Sequence, residues 1–168
     1  MKRLIIIIIE IILCYLIQSS MSPYIALANV MPNLLLILVV STAYMRGRMS
    51  GLLVGLFSGL LIDLSFGNII GFYALLYMII GYLNGYGHRI YSDDDYTFPI
   101  LFVAISDLLY GFFYYVFEFL LRGRLNILFY LRRIVLPEII YTVVISVLLY
   151  KLLHMINRHL DRVANEEV

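Results

Sequence analysis

Long apolar stretches dominate this chain and restrict what it can fold into. A helix of about 20 apolar residues crosses the hydrocarbon core of a bilayer. Six stretches approach this length, at about 4–20, 24–45, 49–66, 69–86, 98–121 and 134–154. Of the 168 residues, 63% are hydrophobic and 14% are charged, too apolar a composition for a water-soluble globule. The sequence predicts an all-α integral membrane protein, a six-transmembrane-helix bundle.

The connections between these stretches are short, which predicts antiparallel neighbours and a single transmembrane domain over residues 1–156. Residues 157–168 are polar and are interpreted as a cytoplasmic tail. The second helix has two possible starts, near Tyr24 and near Pro32, because the stretch after Pro32 is short for a span.

The first stretch has an alternative interpretation as a signal peptide. Basic residues precede it, and Ala26-Leu27-Ala28 follows it as a loose cleavage motif. Glu10 lies inside the apolar run, and the motif lies far from the start. Both features favour a retained helix.

The distribution of basic residues predicts the orientation. With the amino terminus inside, the inner side carries eight Lys and Arg residues: Lys2, Arg3, Arg46, Arg48, Arg89, Lys151, Arg158 and Arg162. The outer side carries four, Arg122, Arg124, Arg132 and Arg133. We therefore expect a multi-pass protein of the bacterial cytoplasmic membrane with both termini in the cytoplasm. Tyrosines near the predicted helix ends fit the membrane interface, namely Tyr24, Tyr44, Tyr86, Tyr91, Tyr96, Tyr130 and Tyr150.

Polar residues follow one stripe on each of four predicted helices. The stripes are Glu10, Cys14 and Gln18; Gly51, Gly55, Gly59 and Asp63; Asp107, Gly111, Tyr114 and Glu118; and Glu138, Thr142 and Ser146. A lipid-facing surface gains nothing from polarity, so these stripes are expected to face inward and meet. The intramembrane acids Glu10, Asp107, Glu118 and Glu138 could line a proton, ion or ligand path, or they could fix the packing of the helices.

One hypothesis concerns the basic residues on the outer side. Asp63, Glu118 and Glu138 are predicted at the depth of the outer arginines and could neutralise them. The alternative is a short interfacial helix over 122–133 whose cations lie among the headgroups.

The glycines Gly51, Gly55 and Gly59 recur every fourth residue, and Gly81 and Gly85 repeat this spacing. Such spacing lets two membrane helices approach closely. It predicts tight packing, either inside the bundle or against a partner.

Other polar residues carry no recognisable chemistry. Cys14 has no second cysteine to pair with, and His88, His154 and His159 lack metal-ligand spacing. Asp93-Asp94-Asp95 is interpreted as a solvated loop. No catalytic motif and no basic soluble face is present, so we predict neither an enzyme, nor a cofactor or metal site, nor nucleic-acid binding.

The order of several motifs resembles the rod shape-determining protein MreD family. Pro32-Asn33 opens the second helix, Arg46-Gly47 forms a turn, and the glycine run leads to Asp63. Gly67, Gly71-Phe72-Tyr73-Ala74-Leu75 and Gly81-Tyr82 follow. The positions carried over as packing or partner-binding residues are Pro32, Asn33, Gly51, Gly55, Gly59, Asp63, Gly67 and Gly71. The family often has an acid beside the proline, where this chain has Asn33.

The resemblance implies a role in rod shape and lateral peptidoglycan synthesis. It implies a non-catalytic scaffold of the cell-elongation complex that binds MreC directly and works with MreB, RodA and a transpeptidase. It also implies a bundle akin to the substrate-binding subunits of energy-coupling-factor transporters. A vitamin-type transporter subunit is therefore the alternative function. Such a subunit usually docks through alanines four apart on its first helix, and this chain has Leu4 followed by five isoleucines there.

Overall fold

A computed structural model of the protein describes residues 2–20, 30–66, 70–92, 94–120, 123 and 126–166. In this part of the chain six helices form an all-α bundle, as predicted. They are α1 (Lys2–Ser20), α2 (Leu34–Arg46), α3 (Arg48–Phe66), α4 (Phe72–Asn84), α5 (Thr97–Tyr115) and α6 (Leu136–Glu166). A 3-10 turn, Gly85–Ile90, follows α4, and a π-helical turn, Val116–Leu120, extends α5. A helical turn, Ile127–Tyr130, and a π-helical turn, Leu131–Val135, lead into α6.

Four helical segments of the described chain are long and apolar enough to cross a membrane: Arg3–Ser20, Arg48–Ser65, Thr97–Leu120 and Ile127–Val163. The helices α2 and α4 have 13 residues each. At about 1.5 Å per residue, each is roughly 20 Å long, which is shorter than a hydrocarbon core of about 30 Å. For α2, protein surrounds the helix, and the non-helical backbone at its ends is tolerated at membrane depth where it is buried in protein.

The short helix α2 is the centre of the bundle. All its residues from Leu34 to Met45 are buried, and it contacts each of the other five helices. The reason lies in its sequence, because a helix that is apolar on every side gains most when protein covers all of it. The remaining helices expose one apolar face and turn their polar stripe toward α2 or toward each other.

The helix boundaries differ from the sequence prediction in two places. The second helix begins at Leu34, because Asn33 caps it and residues 30–33 are not helical. Its proposed earlier part, 24–29, lies outside the described residues. The predicted tail 157–168 continues α6 as a helix up to Glu166. This polar extension is held by side-chain contacts to α1 and α2, which the sequence pattern alone did not indicate.

Both termini lie at the same end of the bundle. An Arg3 Nη2 atom on α1 lies 2.9 Å from Oδ1 of Asp161 on α6, and Arg46 Nε donates to Asn157 Oδ1 at 2.8 Å. We call this the terminal end, and the opposite end, where α2 starts, the Asn33 end. A single residue, Gly47, joins α2 to α3 at the terminal end, with a φ of 91° that favours glycine.

Candidate functional site

The glycine run packs α3 against α4. Of the two interpretations of this motif, packing inside the bundle is therefore the one that the structure supports. A Cβ atom added at Gly55 would overlap the backbone carbonyl of Tyr77, and one at Gly59 would overlap the backbone of Ala74. Gly51 meets Gly81 in the same way, closer to the terminal end. The two helices are therefore in backbone contact along this stripe, which only glycine permits.

Asp63 completes the glycine stripe at the Asn33 end. Its carboxylate accepts hydrogen bonds from the backbone N–H groups of Tyr73 and Ala74, at 3.0 and 2.9 Å. These amides belong to the first turn of α4, which has no helical partners for them. A carboxylate at this position also suits the positive end of the helix dipole. Asp63 thus fixes the start of α4 to α3.

The start of α2 is held by side chains from three other helices. Asn33 is 4% exposed, and its Oδ1 accepts from the Leu36 N–H at 3.2 Å and from the Tyr77 hydroxyl at 2.7 Å. The Asn33 N–H donates to the Thr142 hydroxyl at 3.3 Å, and the Leu35 N–H donates to Gln18 Oε1 at 3.1 Å. The four orphan amides of a buried helix start need such partners. Because an amide oxygen accepts both bonds, Asn33 performs this role without a charge.

A cavity of about 410 Å³ lies beside this cap at the Asn33 end. Its described lining combines apolar groups with tyrosines and a few polar side chains: Tyr15, Gln18, Ser19, Val30, Met31, Pro32, Asn33, Leu35, Ile62, Tyr73, Tyr110, Tyr114, Tyr130, Ile134 and Glu138. The helices α1, α4, α5 and α6 each contribute a polar side chain or tyrosine to this wall, whereas α2 contributes Leu35 and α3 contributes Ile62. The size and the lining are typical of a small-molecule site.

Two of the predicted intramembrane acids lie next to each other at this cavity. Glu138 lines it and is close enough to Asp107 for the two carboxyl groups to interact electrostatically. Asp107 is 2% exposed, is not one of the lining residues, and is close enough to Thr142 to interact with it. Neither Asp107 oxygen has a hydrogen-bond partner within the described residues. The pairing of two acids without a basic partner is unusual for a membrane interior.

The terminal end has a different polar network. Arg46 donates to Asn157, whose amide donates to Asp161 at 3.3 Å, and Asp161 also contacts Arg3. Glu10 interacts electrostatically with Arg46. These contacts bind the end of α2 to α1 and α6 and account for the inward position of Glu10.

Aromatic side chains fill the interior at this end. The fully buried Tyr44 packs edge-on against Tyr91 at 5.4 Å between ring centroids, and His154 approaches the Tyr91 hydroxyl at 3.2 Å. Tyr44, Tyr130 and Tyr150 were expected at the membrane interface, but all three are buried. Sequence position alone identified them as near helix ends without revealing that their rings pack inside the bundle.

The remaining residues that the sequence singled out lie outside the two polar networks described above. Cys14 is buried on the inward face of α1, and Glu118 is partly buried in the π-helical turn after α5. Gly71 precedes α4 with a φ of 98°, which explains the glycine. Gly67, Asp93, Arg122 and Arg124 lie outside the described residues. Within the described residues, no three His, Cys, Asp or Glu side chains are grouped so that they could hold a metal ion.

The idea that the outer arginines neutralise the acids stays a prediction, because Arg122 and Arg124 lie outside the described residues. Asp63 is bonded to backbone amides. Arg132 and Arg133 have exposed side chains, and Arg133 lies over the Phe129 ring at 5.6 Å from its centroid. Phe129, Arg132 and Arg133 belong to a helical lead-in with exposed cations, which fits the interfacial alternative for this part of the segment.

Sequence reasoning missed the tyrosines that build the Asn33 end. Tyr77 is fully buried and binds Asn33, and Tyr73 and Tyr110 form part of the cavity wall. The available signal was that these tyrosines lie well inside predicted spans, where a hydroxyl needs a polar partner.

The fold and the apolar spans define the class of this molecule as an α-helical membrane protein. A family profile, rod shape-determining protein MreD, matches residues 1–159. The chain therefore belongs to the MreD family, which has a role in determining rod shape and is not a known enzyme family. No curated protein and no solved structure matches the chain.

Proposed function

We propose that this protein is a non-catalytic scaffold of the cell-elongation complex that binds MreC and supports lateral peptidoglycan synthesis. MreB, RodA and a transpeptidase are the further members of the complex in this proposal. It rests on the MreD family match over residues 1–159 and on the resemblance described above. The carrying structural observation is the rigid centre of the bundle, in which α2 is bonded at both ends to its neighbours.

The centre of the bundle supports a scaffold because several polar groups of the spans form internal bonds there. Asn33, Asp63 and Gln18 each bond to backbone amides, and the glycine run packs two helices together. The outer surface of the bundle is available for binding partners, and it is strongly apolar. A fixed frame with an apolar exterior suits the binding of another transmembrane helix.

Two exposed faces are suitable for such a partner. On α5, Leu101, Ile105, Leu108 and Phe112 recur with helical spacing and are each about half exposed. On α1, the outer face carries large aliphatic side chains and little else: Leu4, Ile5, Ile8, Ile9, Ile12, Leu13, Leu16 and Ile17. Spacing of this kind presents one continuous stripe along a helix.

Photo-crosslinking in native membranes tests the partner. A crosslinking amino acid at Phe112 on α5 or at Ile12 on α1 is expected to capture MreC, because both side chains face outward. The same amino acid at Val54, which is 3% exposed, is the control and should give only internal crosslinks. Gly55 and Gly59 are unsuitable positions, since they lie against α4. Failure to recover MreC from both outward positions would contradict the proposal.

A second function, a vitamin-type transporter subunit, has one observation in its favour, the cavity at the Asn33 end. Against it, the outer face of α1 has bulky isoleucines and leucines in place of small docking residues. The crosslinking experiment separates the two functions. Capture of a transporter energising subunit in place of MreC would favour the carrier.

The proposed location is the bacterial cytoplasmic membrane, with both termini in the cytoplasm. The contact between Arg3 and Asp161 supports a common side for the two termini, and the excess of Lys and Arg at that end favours the cytoplasm. A fluorescent protein fused after residue 168 should fold and fluoresce, whereas alkaline phosphatase fused there should be inactive. Active phosphatase at this position would reverse the orientation.

A further inference from the structure

We infer that the cavity at the Asn33 end binds a ligand with an ammonium group, held between Glu138 and the surrounding tyrosine rings. This inference goes beyond the scaffold proposal and does not depend on MreC binding.

The first argument concerns the partners of the Glu138 carboxyl group. It lines the cavity, and within the described chain its carboxyl group has no hydrogen bond and no ion pair. Carboxylates inside a membrane protein normally pair with a cation or a hydrogen-bond donor. Here a second acid, Asp107, lies nearby. A cation in the cavity would give Glu138 the counter-charge that the described lining does not supply.

The second argument is the absence of an internal cation at this place. The described lining contains no Lys, Arg or His. The nearest described arginines in sequence, Arg132 and Arg133, expose their side chains, and Arg133 lies over Phe129. The protein thus presents an acid without supplying the counter-charge from the described residues around it.

The third argument is the aromatic lining. The rings of Tyr73, Tyr110 and Tyr114 lie within 6.4 Å of each other, centroid to centroid, and form one wall. Tyr130 contributes another ring to the cavity, and both Tyr110 and Tyr130 are close enough to Glu138 to interact with it electrostatically. Aromatic faces attract ammonium groups, most strongly where water is excluded. An acid among several tyrosines is therefore a suitable receptor for an organic cation.

The local backbone is also unusual at this cavity. Tyr114 lies just before the π-helical turn Val116–Leu120, and Ile134 lies within the π-helical turn Leu131–Val135. Such turns are frequent at functional sites because they widen a helix and redirect side chains. Both turns occur beside the cavity.

The test uses the full chain in nanodiscs of phosphatidylglycerol, with choline as the probe. The neutral isostere 3,3-dimethylbutan-1-ol has the same shape without the charge, so it isolates the contribution of the ammonium group. Isothermal titration calorimetry is expected to show choline binding at least tenfold tighter than the alcohol. Equal affinity for the two compounds would overturn the inference without the need for any variant.

Two variants locate the binding. Glu138→Gln keeps the size of the side chain and removes its charge, and should weaken choline binding at least tenfold. Glu118→Gln is the matched control, because Glu118 is a partly buried acid at the same end that does not line the cavity, and its affinity should stay within twofold of the wild type. Thermal unfolding of both variants verifies that they fold. Unchanged choline affinity in a folded Glu138→Gln protein would also overturn the inference.

The ammonium group could come from a soluble amine or from a phosphatidylethanolamine headgroup. Native mass spectrometry of protein from mixed phosphatidylethanolamine and phosphatidylglycerol discs distinguishes these sources. Retention of phosphatidylethanolamine by the wild type but not by Glu138→Gln would identify the lipid headgroup, while choline binding without lipid retention would identify a soluble ligand. If neither choline nor phosphatidylethanolamine binds, the cavity has no ammonium ligand and the inference fails.

Discussion

Replacing Gly55 by leucine is expected to abolish the folded bundle. Even one added carbon atom at this position overlaps the Tyr77 carbonyl and lies 3.0 Å from the Met78 backbone nitrogen. These are backbone atoms inside a helix, so they cannot rotate away as a side chain could. Overpacking a membrane or protein core by one methylene costs about 1–3 kcal/mol, and leucine adds four carbon atoms. The helices α3 and α4 would have to separate along their whole contact.

The yield of monodisperse protein after detergent extraction, measured by fluorescence-detected size-exclusion chromatography, checks this expectation. Gly55→Ala should show an intermediate loss, with the unfolding free energy lowered by about 1–3 kcal/mol. Gly111→Ala is the control. There the added carbon meets only side-chain atoms of Val135, at 3.1 Å and beyond, which can shift slightly. A normal yield of Gly55→Leu would show that the glycine stripe does not hold these helices together.

Replacing Asp63 by alanine is expected to have the second-largest effect. Two backbone N–H groups in the first turn of α4 would lose their acceptor, in a place where Asp63 is only 2% exposed. A buried donor without a partner costs about 1–3 kcal/mol, and hydrogen bonds to a carboxylate are stronger than neutral ones. We expect the unfolding free energy to fall by about 3 kcal/mol.

Thermal and SDS-induced unfolding in the same detergent measure this effect. Asp63→Asn should lose about half as much, because its amide oxygen still accepts one of the two bonds. Asp161→Ala serves as the control. It removes the ion pair with Arg3 and the 3.3 Å hydrogen bond from Asn157. Both side chains of the ion pair are more than half exposed, so the change should stay below about 1 kcal/mol. An effect of Asp63→Ala no larger than that of Asp161→Ala would remove Asp63 from the set of packing residues.

The membrane class, the number of helices and the inward polar stripes could be predicted because they depend on local patterns. Hydropathy over about 20 residues identifies a span, and a residue recurring every fourth position lies on one helix face. The positions of Cys14, Gly55, Asp107 and Thr142, all buried, follow from this periodicity. The family could be recognised for the same reason, since its motif is a linear order of residues.

The polar contacts of the site could not be predicted from the sequence, because they depend on the tertiary fold. The stripe containing Asp63 was visible in the sequence, but its acceptance of two amides from α4 was not, because those amides become orphaned only where α4 starts. The same is true of the start of α2, where Asn33 bonds to Tyr77 and Thr142 and the Leu35 N–H bonds to Gln18, side chains from three distant segments. Partners that lie far apart in the sequence do not affect the spacing of polar residues within any one segment, so the local pattern does not reveal them.

The sequence by itself determined that apolar helices cross a bilayer and which face of each one turns inward, since both depend on neighbours within a few turns. Only the tertiary structure decided that α2, one of the two 13-residue helices, is surrounded by the other five, and that Glu138 lines a cavity and interacts with Asp107. The physical reason is that burial of a whole helix and the enclosure of a cavity depend on how several helices pack together. A linear pattern specifies the faces available for packing, but not which faces meet.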